Sequence, residues 1–148
     1  MKSKPIVMDH FSTVHSSFLV NFTFKNNITI LLGDSGTGKT ASFSFIRECM
    51  AINPKILCLN YLDYQKNIKN IISQSEGKLI VIDNADILLD DETRKYISLD
   101  DKNQYLIIGR NPKNLFATKE NRRTDRVYIK RIFISIKGGS HEFLQHLF

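Results

Sequence analysis

The sequence has no apolar run long enough to cross a membrane. No stretch approaches the roughly 18 consecutive apolar residues of a transmembrane helix, and residues 1–5 (MKSKP) lack the apolar core of a signal peptide. With both features missing, we predict a cytoplasmic protein with no membrane partner.

Cysteine is scarce, and its placement argues against a metal centre or a secreted disulfide framework. Cys49 and Cys58 lie inside apolar segments without CxxC spacing, so we expect two buried thiols. Internal repeats and linkers rich in proline or glycine are also missing. A length of 148 residues is that of one typical domain, and we predict a single domain over residues 1–148.

The basic charge is concentrated in the C-terminal third of the chain. The net charge is +6, but residues 110–137 hold nine basic residues against two acidic ones, and the rest of the chain sums to −1. Such a segment is a candidate surface for a nucleic acid or a protein partner. Elsewhere, 42% hydrophobic and 24% charged residues are typical of an ordinary globular protein.

Short apolar runs alternate with helical patterns along most of the chain. Strands are predicted at residues 18–24, 28–32, 56–59, 79–82 and 105–108, with a bent, bulged or divided strand over 127–136. Helices are predicted from Lys39 to about residue 52, from an N-cap at Asp63 to about Gly77, and from Asp90 to Leu99. This order predicts an α/β fold with a mostly parallel sheet and helices on both faces. We expect residues 111–124 to be irregular.

Residues 33–40 (GDSGTGKT) match G-x-x-x-x-G-K-[ST] and lie directly between a predicted strand and a predicted helix. Glycines let successive backbone N–H groups turn toward phosphate oxygens, at the positive end of the helix. In this motif the lysine reaches the β- and γ-phosphates and the threonine hydroxyl binds Mg²⁺. The candidate nucleotide-binding residues are Gly33, Asp34, Ser35, Gly36, Thr37, Gly38, Lys39, Thr40 and Ala41.

A second acidic position is expected where another strand ends. Asp83 follows the apolar run 79–82, and LIVID fits the Walker B pattern of four apolar residues and an aspartate. A metal between two phosphates still needs a carboxylate partner, commonly through water. We therefore predict Thr40 and Asp83 as the Mg²⁺ residues.

These motifs resemble the P-loop NTPases over roughly residues 18–136. The segment HSSFLVNFTFKNNITILLGDSGTGKT is similar to the opening of ABC-type ATPases, in which a β-hairpin leads into the P-loop. The later order looks like AAA+ ATPases, whose sensor 1 position would fall on Arg110 or Asn111. The resemblance implies a P-loop NTPase fold preceded by a β-hairpin strand, with ATP and Mg²⁺ as cofactors.

The chain departs from both subfamilies. It lacks the LSGGQ signature of ABC ATPases and the helical lid of AAA+ proteins, and Asn84 stands where a glutamate usually follows the Walker B aspartate. A carboxamide cannot accept the proton of the attacking water, which predicts slow ATP hydrolysis or a nucleotide-dependent switch. Asp86 is the nearest substitute base, or an acid that caps the following segment.

Several alternatives stay open. Arg122, Arg123 and Arg126 are candidates for an arginine finger, for contacts to nucleic-acid phosphates, or for a solvated loop. A small-molecule or nucleotide kinase would use Asp63 to orient the acceptor, and a nucleic-acid-associated regulatory ATPase subunit would use the basic segment. Tyr61 and Tyr64 lie where some P-loop proteins contact substrate. No NKxD-type motif selects guanine, so ATP is the default nucleotide.

Overall fold

A computed structural model describes residues 4–15, 18–32, 39–110, 124–128 and 135–136. The strands are β1 (His10–His15), β2 (Phe18–Thr23), β3 (Ile28–Leu32), β4 (Ile56–Leu59), β5 (Leu79–Ile82), β6 (Gln104–Gly109), β7 (Thr124–Tyr128) and β8 (Ser135–Ile136). The helices are α1 (Lys39–Cys49), α2 (Ile68–Ser73), α3 (Ala85–Leu88) and α4 (Asp91–Leu99), with a 3-10 turn at Tyr61–Asp63.

The centre of the fold is a parallel sheet with the strand order β4-β5-β6-β3-β7. Every residue of β5 and β6 is buried, as expected for strands that are covered on both faces. The ranges of β3, β4 and β5 equal the predicted ones, and β6 is one residue longer at each end. The predicted α/β class with a parallel sheet is confirmed.

Two separate hydrophobic clusters occupy the two faces of this sheet. Alternate residues of β5 belong to different clusters, because successive side chains of a strand point to opposite faces. One cluster joins the sheet to α1 and to the β1–β2 hairpin, through residues such as Phe43 and Phe22. The other joins it to α2, α3 and α4, through residues such as Ile72 and Ile97.

A β-hairpin precedes β3, as the resemblance implied. Residues 18–24 were predicted as a strand before β3, and β2 (Phe18–Thr23) is that strand. It pairs antiparallel with β1 along its whole length and with β8 at one end. Pairing with β3 is blocked because β6 and β7 occupy both of its edges. Strand β1 was not predicted, since HFSTVH contains few apolar residues.

Two further element predictions need correction or refinement. Asp63 is not the N-cap of α2, because Asn67 fills that position and accepts a bond from the N–H of Asn70 at 3.0 Å. Asp63 instead closes the 3-10 turn, where its carboxylate accepts the N–H of Asn60 at 3.0 Å. Residues 127–136 divide between β7 and β8, in two different sheets. Of the predicted irregular segment, residues 111–123 lie outside the described residues.

A buried polar network closes the amino ends of the central strands. The Asn103 amide donates to Asp100 at 2.9 Å, and the Tyr105 hydroxyl donates to the same carboxylate. The Gln104 side-chain carbonyl accepts the N–H groups of Val7 and Met8 at 3.0 and 2.9 Å. Burial, followed by the neighbouring Asp100, raises the pKa of Tyr105. The candidate site lies at the opposite edge of the sheet, where the carboxyl ends of the strands meet.

Within the described part of the chain, the structure has no helix with the length and apolar character needed to cross a bilayer. The single-domain and cytoplasmic assignments stay predictions.

Candidate functional site

The carboxyl edge of the parallel sheet brings the predicted site residues together. Strand β3 leads through residues 33–38 to α1 on one face, whereas β4 and β5 lead to helices on the other face. In open parallel sheets, ligands bind in the crevice outside the carboxyl ends where neighbouring connections diverge. Asp83 follows β5 at this edge, and Arg110 follows β6.

Lys39 is the first residue of α1 and is 8% exposed. No acidic residue lies in the first turn of α1, so the positive end of the helix dipole is not offset locally. The ammonium group is close enough to Asp83 to lower the pKa of that carboxyl. Thr40 is exposed and Ala41 half-buried in the same turn. The other predicted phosphate-binding residues, Gly33 to Gly38, lie outside the described residues.

Asp83 is a buried carboxylate, 6% exposed. Its backbone N–H donates to the Leu59 carbonyl at 2.9 Å, which ties the end of β5 to β4, and its Oδ1 accepts the N–H of Asn84 at 2.9 Å. Burial raises the pKa of Asp83, and the charge of Asp86 adds to the rise. The Asn84 N–H, Lys39 and Arg110 act in the opposite direction. The charges of Lys39 and Arg110 favour the ionised form of Asp83, and an ionised carboxylate is an oxygen ligand that Mg²⁺ takes.

Asn84 has a left-handed backbone, with φ 53° and ψ 39°. Asparagine tolerates this region better than most residues with a Cβ. The Asn84 carbonyl accepts the N–H groups of Ile87 and Leu88 at 3.0 and 2.9 Å and so starts α3, while its side chain makes no capping bond. The chain turns sharply here, and both Asp83 and Asn84 line the same cavity.

That cavity has a volume of about 610 Å³ and lies between α1, the end of β4 and the end of β5. Thr40 and Asp83 both line it, so the structure brings the predicted metal residues to one space. Asp86 does not line it; the residue lies in the first turn of α3, where its charge acts on Asp83.

Thr40 and Asp83 suit Mg²⁺, which takes few protein ligands, better than a metal ion that is held by protein side chains alone. No group of three or more His, Cys, Asp or Glu residues that could hold a metal occurs within the described ranges. Mg²⁺ commonly takes one or two protein ligands and completes its shell with substrate phosphates and water. A hydroxyl at Thr40 and a carboxylate at Asp83 meet that requirement.

Arg110 occupies the end of the strand between β3 and β5. In the register of the sheet, Leu32, the last residue of β3, pairs with Gly109, and Arg110 directly follows Gly109. The side chain is exposed, and its charge lowers the pKa of Asp83. The other predicted sensor 1 residue, Asn111, lies outside the described residues.

The predicted arginines of the basic segment are described only in part. Arg122 and Arg123 lie outside the described residues, and their role stays a prediction. The chain is described again from Thr124, which pairs with Ile28 at the amino end of β3, and Arg126 pairs with Ile30 in the middle of that strand. Residues 33–38 follow the carboxyl end of β3, so Thr124 lies beside the other end of that strand.

Sequence reasoning missed several cavity residues. Ser44 and Arg47 line the cavity on the same helical stripe as Thr40, and Asn60 and Leu62 form its opposite wall. The i, i+4, i+7 spacing from Thr40 was a readable signal. The opposite wall had no comparable signal, because its position depends on how β4 pairs with β5.

No family model matches the chain, and no curated protein in the comparison matches it. Function therefore has to be inferred from the motifs and from the geometry of this site.

Proposed function

We propose that the protein binds a nucleoside triphosphate, ATP by default, together with Mg²⁺, on a P-loop NTPase fold. We further propose that it hydrolyses the nucleotide slowly or uses it as a switch. One observation carries this proposal: the first turn of α1, with Lys39 and Thr40, and the carboxylate of Asp83 meet at the carboxyl edge of a parallel sheet.

Each of these residues has a distinct task in the proposed complex. The Lys39 ammonium pairs with the β- and γ-phosphates, whose charge replaces part of its interaction with Asp83. The Thr40 hydroxyl and the Asp83 carboxylate hold Mg²⁺, directly or through water, and the metal supplies charge neutralisation between the phosphates. The N–H groups at the start of α1 add donors for the phosphate oxygens.

The proposed slow hydrolysis rests on which groups face the cavity. Asn84 lines it, and its carboxamide can orient a water molecule without accepting a proton. Asp86, the predicted substitute base, is not among the lining residues. We propose that Arg110, whose charge acts on Asp83, stabilises negative charge on a terminal phosphate, a role that does not replace a base.

The kinase alternative loses its predicted acceptor residue. Asp63 accepts the Asn60 N–H and forms an ion pair with Lys66 at 2.8 Å, and both bonds lower its pKa although burial alone would raise it. It does not line the cavity. The nucleic-acid alternative depends on the basic segment, most of which is outside the described residues, and stays a prediction.

The deciding experiment is calorimetric titration with Mg·ATP of the wild type, Lys39→Ala and the control Lys95→Ala. Lys95 is an exposed lysine of α4, away from the cavity. We expect Lys39→Ala to weaken binding by about tenfold or more, as for the loss of a charge-assisted bond, and Lys95→Ala to bind like wild type. Absence of binding by folded wild-type protein would falsify the proposal.

A coupled ATPase assay tests the second half of the proposal. We expect turnover well below the roughly 10 s⁻¹ typical of enzymes. Turnover at ordinary enzyme rates that Lys39→Ala abolishes would contradict slow hydrolysis while supporting nucleotide binding.

A further inference from the structure

Strand β1 is the outermost strand of the small sheet, whose order is β1-β2-β8. The Phe24 N–H donates to the Asp9 carbonyl at 2.8 Å, which extends the register of β1 and β2 by one bonded pair. Because bonded and non-bonded pairs alternate in an antiparallel ladder, every second residue of β1 after Asp9 bonds to β2. The residues whose backbone N–H and C=O groups point away from β2 are therefore His10, Ser12 and Val14.

These outward-facing backbone groups have no hydrogen bond to the part of the chain that the structure describes. No described strand pairs with this side of β1, and no described loop or side chain bonds to the N–H or C=O groups of the three residues. His10 and Ser12 are also exposed. An open strand edge of this kind is a template on which a further strand can pair.

Strand β4, an edge strand of the central sheet, is closed where β1 is open. Alternate residues of β4 bond to β5, which leaves the N–H groups of residues 56, 58 and 60 facing outward. All three are bonded within the chain, Ile56 to the Asn53 carbonyl at 3.2 Å, Cys58 to the Met50 sulfur at 3.3 Å and Asn60 to the Asp63 carboxylate at 3.0 Å. The chain thus satisfies the outward donors of β4 and not those of β1.

The sequence of β1 also lacks the features that keep edge strands from pairing. Natural edge strands are commonly protected by lysine, by proline or by a bulge. Strand β1 is HFSTVH, with no lysine, proline or acidic residue, and its six residues pair with β2 without a break in register. A second strand can therefore approach this edge without like charges opposite each other.

The open edge is complementary to itself. When two copies of β1 run antiparallel with Ser12 opposite the partner's Ser12, His10 lies opposite the partner's Val14. In this register, outward-facing residues of one copy meet only outward-facing residues of the other, so each of their N–H groups has a C=O group as its acceptor. The arrangement has twofold symmetry, and one patch is then sufficient for a closed dimer.

We propose that β1 is an interaction surface that pairs two copies of this chain, antiparallel and centred on Ser12. The pairing joins the two three-stranded sheets into one continuous sheet. A single strand pair buries less surface than the roughly 1,200–2,000 Å² of stable complexes, so the dimer is weak and its population depends on concentration. The proposal does not depend on nucleotide binding, and its tests contain no nucleotide.

Analytical ultracentrifugation of the whole chain over about 5–500 μM tests the pairing. We expect the average mass to rise from 17.1 kDa toward twice that value. Ser12→Pro removes an outward-facing N–H that makes no bond to β2, and proline is tolerated on an edge strand. It should weaken the dimer by about tenfold or more. The control Ser12→Ala keeps the N–H and should associate like the wild type.

A cysteine at the centre of the pairing tests the register. Opposite residues of a bonded antiparallel pair have Cα atoms about 5.5 Å apart, a separation that a disulfide can span. With copper phenanthroline as the oxidant, Ser12→Cys should form a disulfide-linked dimer. The control is Asn21→Cys, at an exposed position opposite Ser12 on β2. Its two copies would be three strand spacings, or about 14 Å, apart and should stay unlinked.

Any of three results would overturn the β1 dimer. They are a mass that stays at 17.1 kDa up to about 500 μM, equal association of the wild type and Ser12→Pro, and linkage of Asn21→Cys as efficient as that of Ser12→Cys. Circular dichroism checks that each variant is folded. If Ser12→Pro does not fold, the mass of the wild type and the linkage of the two cysteine variants decide.

Discussion

At the scale of single residues, the backbone of Asn84 links the fold to the site. It is the one residue other than glycine with positive φ in the described part of the chain. This conformation turns the chain out of β5 directly after the buried carboxylate of Asp83 and starts α3. A residue with a Cβ in this region costs about 1–2 kcal/mol, less for asparagine. Position 84 therefore carries strain beside the proposed metal residue.

We predict that Asn84→Ala lowers the free energy of unfolding by about 1 kcal/mol, whereas Asn84→Gly is neutral or stabilising. Urea unfolding monitored by circular dichroism measures both. The control Asn70→Ala replaces an exposed asparagine with ordinary helical backbone in α2 and should cost nothing. Equal stability of the alanine and glycine variants at position 84 would show that the left-handed backbone is not retained in solution.

The buried thiol of Cys58 should make the stability of the protein depend on pH in alkaline solution. Burial raises the pKa of its thiol to about 12 from an ordinary 9.0, with Arg47 acting against the rise and Cys49 adding to it. Between these values the unfolded chain loses the proton and the folded chain keeps it. Stability is therefore fully present below pH 9.0 and falls as the pH rises toward 12, by about 1.4 kcal/mol per unit.

We expect Cys58→Ala to be less stable than wild type near neutral pH, because it leaves a small cavity. Its further loss between about pH 8 and about pH 10 should be smaller than that of the wild type. Urea unfolding at the two pH values measures the difference. The dependence of stability on pH that remains in the variant is due partly to Tyr105, because burial also raises the pKa of that side chain. Equal slopes in the two proteins would reject the assignment to Cys58.

At the scale of elements, α4 shows how one side chain fixes a helix start. The Asp90 carboxylate accepts the N–H of Thr93 at 2.7 Å, and bonds from Thr93 lower its pKa. We predict that Asp90→Ala destabilises the protein by about 1 kcal/mol near neutral pH. Below pH 3.8 the difference should fade, since the carboxylate is then protonated in the unfolded chain and progressively in the folded one.

The control for this prediction is Asp91→Ala, one residue later. Asp91 has a fully exposed side chain and forms a 3.4 Å contact with Arg94, so the change should cost less than Asp90→Ala. Urea midpoints compare the two variants. A larger loss in Asp91→Ala than in Asp90→Ala would contradict the capping role.

The sequence predicts some elements better than others for physical reasons. Runs such as LIVI are aliphatic throughout because β5 is covered on both faces, so their bounds can be read directly. The start of α2 was misplaced because two residues, Asp63 and Asn67, have capping chemistry, and only the 3-10 turn decides between them. Strand β1 was missed because much of its stability comes from pairing with β2 and not from its own pattern.

At the scale of the whole molecule, the order of the strands in the sheet could not be predicted from the sequence. Motifs predicted Lys39, Thr40 and Asp83 as one site, and the structure brings Thr40 and Asp83 to one cavity, with the charge of Lys39 acting on Asp83. The position of β6 between β3 and β5 depends on long-range pairing, and it sets Arg110 near Asp83. Arg47 and Tyr61 likewise meet through the packing of α1 beside β4.

Since α1 packs against both the central sheet and the β1–β2 hairpin, a ligand at its first turn should stabilise much of the molecule. A nucleotide at 100 times its dissociation constant adds about 2.7 kcal/mol, which for a chain of this size corresponds to a rise in Tm of about 5–10 °C. We predict this rise with Mg·ATP and little with Mg²⁺ alone. Chelation by EDTA should remove most of it, because the phosphates then lose their counter-charge.

Substitutions at the two proposed metal residues test whether the part of the Tm rise that depends on Mg²⁺ comes from Thr40 and Asp83. Thr40→Ala and Asp83→Asn should lose the difference between Mg·ATP and ATP with EDTA, whereas Ser98→Ala, which removes a hydroxyl from α4, should keep it. Asp83→Asn should also raise the stability of the ligand-free protein, because a buried and costly charge is removed. A Tm rise that is the same with and without Mg²⁺ would contradict the metal site at Thr40 and Asp83. No rise with any nucleoside triphosphate would contradict the nucleotide site itself.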